Sequence, residues 1–148
     1  DGSLYTGGAH GIPLVARFVW LPARNEALTA DRLLADSSGW AAVSAYARRQ
    51  LRVQAAARLD GTQGLSPQDR AELLKSGADM IDEGTGPKAA NFAQFEPVPG
   101  PDGRIAALRF VFPPYQVGPY VDGTQTVEVP AGVLLPHVAA AYRELFAQ

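Results

Sequence analysis

No cysteine occurs among the 148 residues, which excludes disulfides, thiol nucleophiles and thiolate metal sites. The same absence leaves the compartment open, because disulfide-free proteins occur on both sides of a membrane. Histidine is nearly as scarce. His10 and His137 lie far apart in the chain and on their own are a poor basis for a metal site. There is no surplus of positive charge either: the net charge is −2 and the pI about 5.6, so no general basic field draws in nucleic acid. Arg48, Arg49 and Arg52 form a local basic cluster, expected on the solvated face of a helix. No apolar run approaches the ~20 residues needed to span a bilayer, and neither a spanning helix nor a signal peptide is expected within these residues.

What is present suits one domain, 1–148, large enough to bury a real core. Its organising stretch is 110–130, FVFPPYQVGPYVDGTQTVEVP. A strand runs into an aromatic elbow at Pro113, Pro114 and Tyr115, which continues through Val117, Gly118, Pro119 and Tyr120. A second strand leaves at 125–129. Proline fixes φ and removes a donor, so this turn costs little extra entropy to order.

Upstream, 1–11 reads as a turn-rich start centred on Gly7 and Gly8, and 12–21 as a strand with apolar residues on both faces. Thr29 is placed to cap a short helical turn over 28–34. Trp40, Val43, Ala47, Leu51 and Ala55 recur at helical spacing and predict the buried stripe of a helix from Ser37 or Ser38 to about Leu59. Ser66, Pro67 and Asp69 are a clear start signal for the next helix, with Ala71, Leu74, Ala78 and Ile81 expected inward and Gly84 expected to end it. Residues 91–98 and 104–112 are expected as a hairpin about the turn Pro99 to Gly103. Leu108, Phe110 and Phe112 share a face with Ala106. The tail, 131–146, reads as helical, with Pro136 near its beginning or at a break. The expected class is α+β: an antiparallel sheet of about four strands packed against about three helices.

Two blocks of residues carry a family resemblance. The first is Gly7, Gly8, Ala9 and His10 leading to Phe18 and Trp20, then Leu28-Thr29 and Leu33-Leu34. The second is Phe110-Val111-Phe112, Tyr115, Val117, Gly118, Tyr120, Gly123, Val127-Glu128-Val129-Pro130 and Leu134. In this order they resemble the extracytoplasmic domain of unknown function shared by the anti-sigma factor RsiV and the peptidoglycan deacetylase PdaC. The resemblance implies an α+β domain outside the cytoplasmic membrane, tethered by an anchor beyond this segment. It also implies a protein ligand such as lysozyme, or a peptidoglycan fragment. The family carries further strands before its Gly-Gly-Ala-His block, so amino-terminal strands are expected to be missing here. The segment 61–88 is longer than expected and adds a helix.

Candidate binding residues are Tyr115, Tyr120, His10, Gly7 and Gly8. Two tyrosines between prolines make a small aromatic platform that can stack on a sugar or anchor a protein, or can cover the end of the sheet. His10 as a general base needs a partner that the sequence does not name; the alternative is a ring that bonds a backbone carbonyl and locks its turn to the elbow. Gly7 and Gly8 precede a strand and not a helix, which favours positive φ or close backbone approach over a phosphate cradle. A hydrolase would need Asp122 and Glu128 paired across a cleft, and nothing in their spacing shows that. Neither a catalytic residue nor a cofactor nor a metal is expected. The expectation is a recognition domain, with two alternatives: an enzyme acting on cell-wall polymers through His10 and Asp122, and a structural module that completes its sheet by strand addition.

Overall fold

The computed structural model describes residues 2–4, 12–14, 19–21, 26–119 and 122–147. Two short antiparallel pairs come first: β1 (Gly2–Leu4) with β2 (Ile12–Leu14), and β3 (Val19–Leu21) with β4 (Glu26–Leu28). Residues 12–21, expected as one strand, therefore supply two strands with different partners, and 2–4 is extended where turns were expected. After β4 comes the short helix α1 (Ala30–Leu33). Thr29 stands at its cap position, but its side chain makes no cap hydrogen bond. It bonds the Asp31 carboxylate instead and, with the Asp31 backbone N–H, holds that carboxyl below its usual range.

α2 (Ser37–Asp60) and α3 (Pro67–Gly84) form a helical hairpin. Each begins on a side-chain cap, which satisfies a backbone N–H that the helix itself cannot. Asp36 accepts from the Ser38 N–H at 3.0 Å, and Ser66 accepts from the Asp69 N–H at 3.0 Å. The predicted stripe of α2 is buried as far as Leu51, with Val43, Ala47 and Leu51 fully inside and Trp40 nearly so, whereas Ala55 at its end is only half-buried. A 3₁₀ segment, Ala89–Phe92, leads into β5 (Phe95–Pro99), so Asn91 and Phe92 are coiled where an extended chain was expected.

β5, β6 (Ile105–Phe112) and β7 (Gln125–Pro130) make a three-stranded antiparallel sheet with β6 at its centre. The α+β class and the antiparallel pairing agree with expectation, and β3 approaches β5 beside the sheet. In the β5–β6 turn Gly103 takes φ 80° and the Gly100 N–H donates to the Arg104 carbonyl at 2.7 Å. Leu108, Phe110 and Phe112 on β6 are fully buried, each burial being worth about 1.5–3 kcal/mol. Trp40 stacks on Phe92 at 5.4 Å, and Phe92 meets Phe110 and Phe112 edge-on. The core is thus an aromatic layer between the sheet and α2.

Residues 131–146, expected to be helical, break into α4 (Ala131–Leu134) and two 3₁₀ segments, Leu135–His137 and Ala140–Leu145. Pro136 supplies no donor, and the backbone beyond it is used elsewhere. Val138 forms an antiparallel bridge with Leu34, the Ala139 N–H donates to the Leu33 carbonyl, and the Ala147 N–H donates to the Ile105 carbonyl. The tail therefore ties α1 to the start of β6. No helix among the described residues is long and apolar enough to cross a membrane.

Candidate binding groove at the elbow

The elbow begins with a β-turn in which the Gln116 N–H donates to the Pro113 carbonyl at 3.1 Å. Pro114 presets the first central position, and Tyr115 follows at φ 77°, the pattern of a type II turn with tyrosine where glycine is usual. For an L-residue that conformation costs about 1–2 kcal/mol, so the surroundings must hold it. The Tyr115 N–H donates to the Gly118 carbonyl at 3.1 Å, and the Gln116 side chain donates to the carbonyls of Gly84 and Asn91. The result is a tyrosine side chain that remains 64% exposed on an anchored backbone.

Gly84 explains how close that anchoring is. A Cβ added there would sit 1.9 Å from the Gln116 carbonyl oxygen. α3 ends at Gly84 as expected; its φ is not in the left-handed region, and the bare backbone serves the approach of the elbow. The last carbonyls of α3 are shared out among neighbours. Ile81 accepts from Thr85, Asp82 accepts from Arg48 Nη2 at 2.8 Å, and Gly84 accepts from Gln116. Ser44 Oγ donates to the Thr85 carbonyl at 2.6 Å, and Arg48 Nε donates to Thr85 Oγ1 at 2.9 Å. Arg48 is therefore no solvated-face residue. α3 has no basic residue in its own last turn, and Arg48 brings the cation that its C-terminal dipole favours. Arg52 pairs with Asp82 at 2.6 Å, and Arg49 lies over the Tyr46 ring.

Above this junction α2, α3 and the elbow stand apart and leave a groove of about 440 Å³. Ala55 and Leu59 of α2, Leu73 and Met80 of α3, and Val117 and Pro119 of the elbow make it mainly apolar. The expected inward stripe of α3 is corrected accordingly. Ile81 is buried, but Leu74 and Ala78 are half-buried and Ala71 is exposed. Leu73, Gly77 and Met80 line the groove instead, and Leu73 keeps 47% of its surface exposed. Arg58 closes one side, with Nη2 3.3 Å from Gln125 Oε1 and 3.6 Å from Asp122 Oδ2. Gly118 lets this corner close, since a Cβ there would sit 2.6 Å from Gln125 Nε2.

Residues 31–132 match the family described as protein of unknown function (DUF3298). The chain belongs to the DUF3298 family. Curated proteins and solved structures give no match. The DUF3298 stretch runs from α1 into α4 and takes in every groove and elbow residue named above.

Of the sequence-derived site residues, Tyr115 stands at the end of the groove, beside Met80 and Glu83. His10, Gly7, Gly8 and Tyr120 lie outside the described residues, and so does any contact between their turn and the elbow. Asp122 and Glu128 are not paired with each other. Asp122 meets Arg58, while Glu128 joins Arg109 at 2.6 Å, which also reaches Glu96 at 2.8 Å. These two carboxylates raise the Arg109 pKa, first through the hydrogen bond that Arg109 donates to Glu128 and then through the one it donates to Glu96. Among the described residues no group of three His, Asp or Glu could hold a metal ion. Gln116, Ser44, Thr85 and Arg48 went unnoticed as a junction. The one legible signal was the acidic end of α3, Asp82 and Glu83 before Gly84 with no basic residue in its last turn, beside the arginines of α2.

Proposed function

We propose that this DUF3298 chain is a non-enzymatic recognition domain of a bacterial envelope protein, RsiV- and PdaC-like, working outside the cytoplasmic membrane. Its ligand on this reading is a protein such as lysozyme, or a peptidoglycan fragment. The supporting observation is Tyr115: a large exposed ring on a positive-φ backbone, fastened through Gln116 to α3 and bordering an apolar groove. Exposed aromatics on a rigid backbone lose little entropy on binding and anchor interfaces well. Backbone held in a costly conformation also concentrates where a ligand is gripped. The arrangement of Asp122 and Glu128 favours recognition over hydrolysis, since each is bound to a different arginine.

Calorimetric titration of the chain with lysozyme and with muropeptides tests this. Binding to one of them is expected, weakened at least about tenfold by Tyr115→Ala, as for a residue worth more than ~1.4 kcal/mol at an interface. Heat with neither ligand overturns the ligand assignment. Full affinity in the alanine variant overturns the role of the elbow. Fractionation of cells that carry the full reading frame tests the location, and recovery in the cytosol refutes it.

A further inference from the structure

Three depressions follow one another along α3. The groove shares Leu73 and Ser76 with a hollow of about 330 Å³ around Asp69 and Glu72, and shares Met80 with one of about 230 Å³ around Glu83 and Tyr115. They form one channel along the helix. Glu72 and Glu83 mark its two ends, separated by about 16 Å of helical rise. The middle is apolar, and among the described residues the charged lining is one-sided: Asp69, Glu72, Glu83 and Asp122 against Arg58. Arg58 already faces Asp122, and among the described residues no cation lies within ion-pair distance of Asp69, Glu72 or Glu83. Gly77 lies mid-helix on the channel floor, where glycine weakens a helix relative to alanine. Nothing stands within 4 Å of a Cβ built there, so the fold itself does not require a bare backbone at that point.

We infer that this channel seats an amphipathic helix of a protein partner, apolar on its inward face and basic at both ends of that face. The inference rests on the recognition function proposed above and specifies the chemistry of the partner. Seated beside α3, the helix sets aliphatic side chains over Gly77, between Leu73 and Met80. A Lys or Arg at each end reaches Glu72 and Glu83. Helix-in-groove recognition uses anchors at such spacing, and the surrounding charges select the partner. The carboxylates along the channel repel phosphate-bearing nucleic acid and anionic lipid, and so argue against both as occupants.

The test uses the whole chain and a labelled helical peptide of about five turns. One face carries leucines at its centre and lysines eleven residues apart; a second peptide replaces those lysines with glutamate. Fluorescence anisotropy should show the lysine peptide binding at least about tenfold more tightly, with the difference shrinking as salt screens the charges. Gly77→Leu fills the open floor with a good helix former, so the variant should melt no lower than the parent yet lose at least about tenfold in affinity. The double variant Glu72→Lys/Glu83→Lys should reverse the preference between the two peptides. Equal binding of both peptides by the parent, or undiminished binding by a folded Gly77→Leu chain, overturns the inference. A chain that binds lysozyme or muropeptide through Tyr115 but ignores both peptides refutes the helical occupant and leaves the elbow function standing. Capture of the lysine peptide alone does the reverse.

Discussion

The two sides of α2 live under different rules. Facing the sheet, Trp40, Val43, Ala47 and Leu51 share one core with the wholly buried Leu108, Phe110 and Phe112 of β6, and five aromatic contacts lock Phe92 and Phe110 into one layer. Facing α3, the buried residues of that helix are Ile81 and Gly84, at a junction with Thr85 where side chains satisfy carbonyls one by one. Much of the apolar face of α3 lines the groove instead. Stability is concentrated on the first side, whereas the second is held at one end by this junction and at the other by the exposed Arg70–Asp60 ion pair at 2.6 Å, with the groove between them. A domain that keeps its cohesion in one layer can leave an apolar surface available elsewhere.

The largest test of this contrast is Phe110→Ala, which removes the ring at the centre of the aromatic layer. It should cost about 3–5 kcal/mol in denaturant unfolding, as buried aromatic truncations do. A loss below 1 kcal/mol would mean that the layer is not the seat of stability. Gly84→Ala comes next. The new Cβ must push the Gln116 carbonyl aside, and the overpacking of about 1–3 kcal/mol exceeds the gain in helix propensity of about 1 kcal/mol at its upper range. Net destabilisation with a displaced elbow is expected, and a stabilised variant would show that the junction is slack. Ser66→Ala probes the far end of α3, where loss of the cap should cost about 1 kcal/mol and leave the aromatic layer intact.

Tyr115→Gly should barely move the melting temperature. Relief of about 1–2 kcal/mol from the positive φ is offset by about 0.5–1 kcal/mol of glycine entropy. The same change should abolish ligand binding, which separates the work of the elbow from that of the core. The smallest effect is electrostatic. The Asp36 carboxyl is held below its usual range, first by the hydrogen bond from the Ser38 hydroxyl and then by that from the Ser38 backbone N–H. A depressed folded pKa stabilises above the unfolded value and loses that contribution as pH falls through the folded one. Melting temperature should therefore drop on acidification below about pH 4, and Asp36→Asn should flatten part of that decline while still capping α2. An unchanged acid limb in the variant would assign the decline to other carboxylates.

Much of the sheet and of α2 was legible because the signal repeats: Leu108, Phe110 and Phe112 alternate, and Trp40, Val43, Ala47 and Leu51 recur at helical spacing. α3 illustrates the limit. Its period is readable, but which of two adjacent apolar stripes turns inward depends on where the elbow lands. The tail shows a second limit, since only tertiary bridges from Val138 to Leu34 and from Phe146 to Ile105 reveal why helical propensity was overridden. Tyr115 could be marked as an aromatic between prolines, yet its positive φ is visible in no local pattern.

What the amino-acid order determined by itself is what acts within a few residues: the Ser66–Pro67–Asp69 start of α3, the turn through Gly103, the alternation of β6 and β7, and the stiffness of the elbow. Each rests on short-range sterics or a hydrogen bond to a near neighbour. Tertiary structure alone decided that Gly84 answers to Gln116, that Arg48 serves the end of another helix, and that Leu73, Gly77 and Met80 border a groove. Those outcomes depend on atoms distant in sequence arriving within a few ångströms, and neither periodicity nor composition encodes such distances.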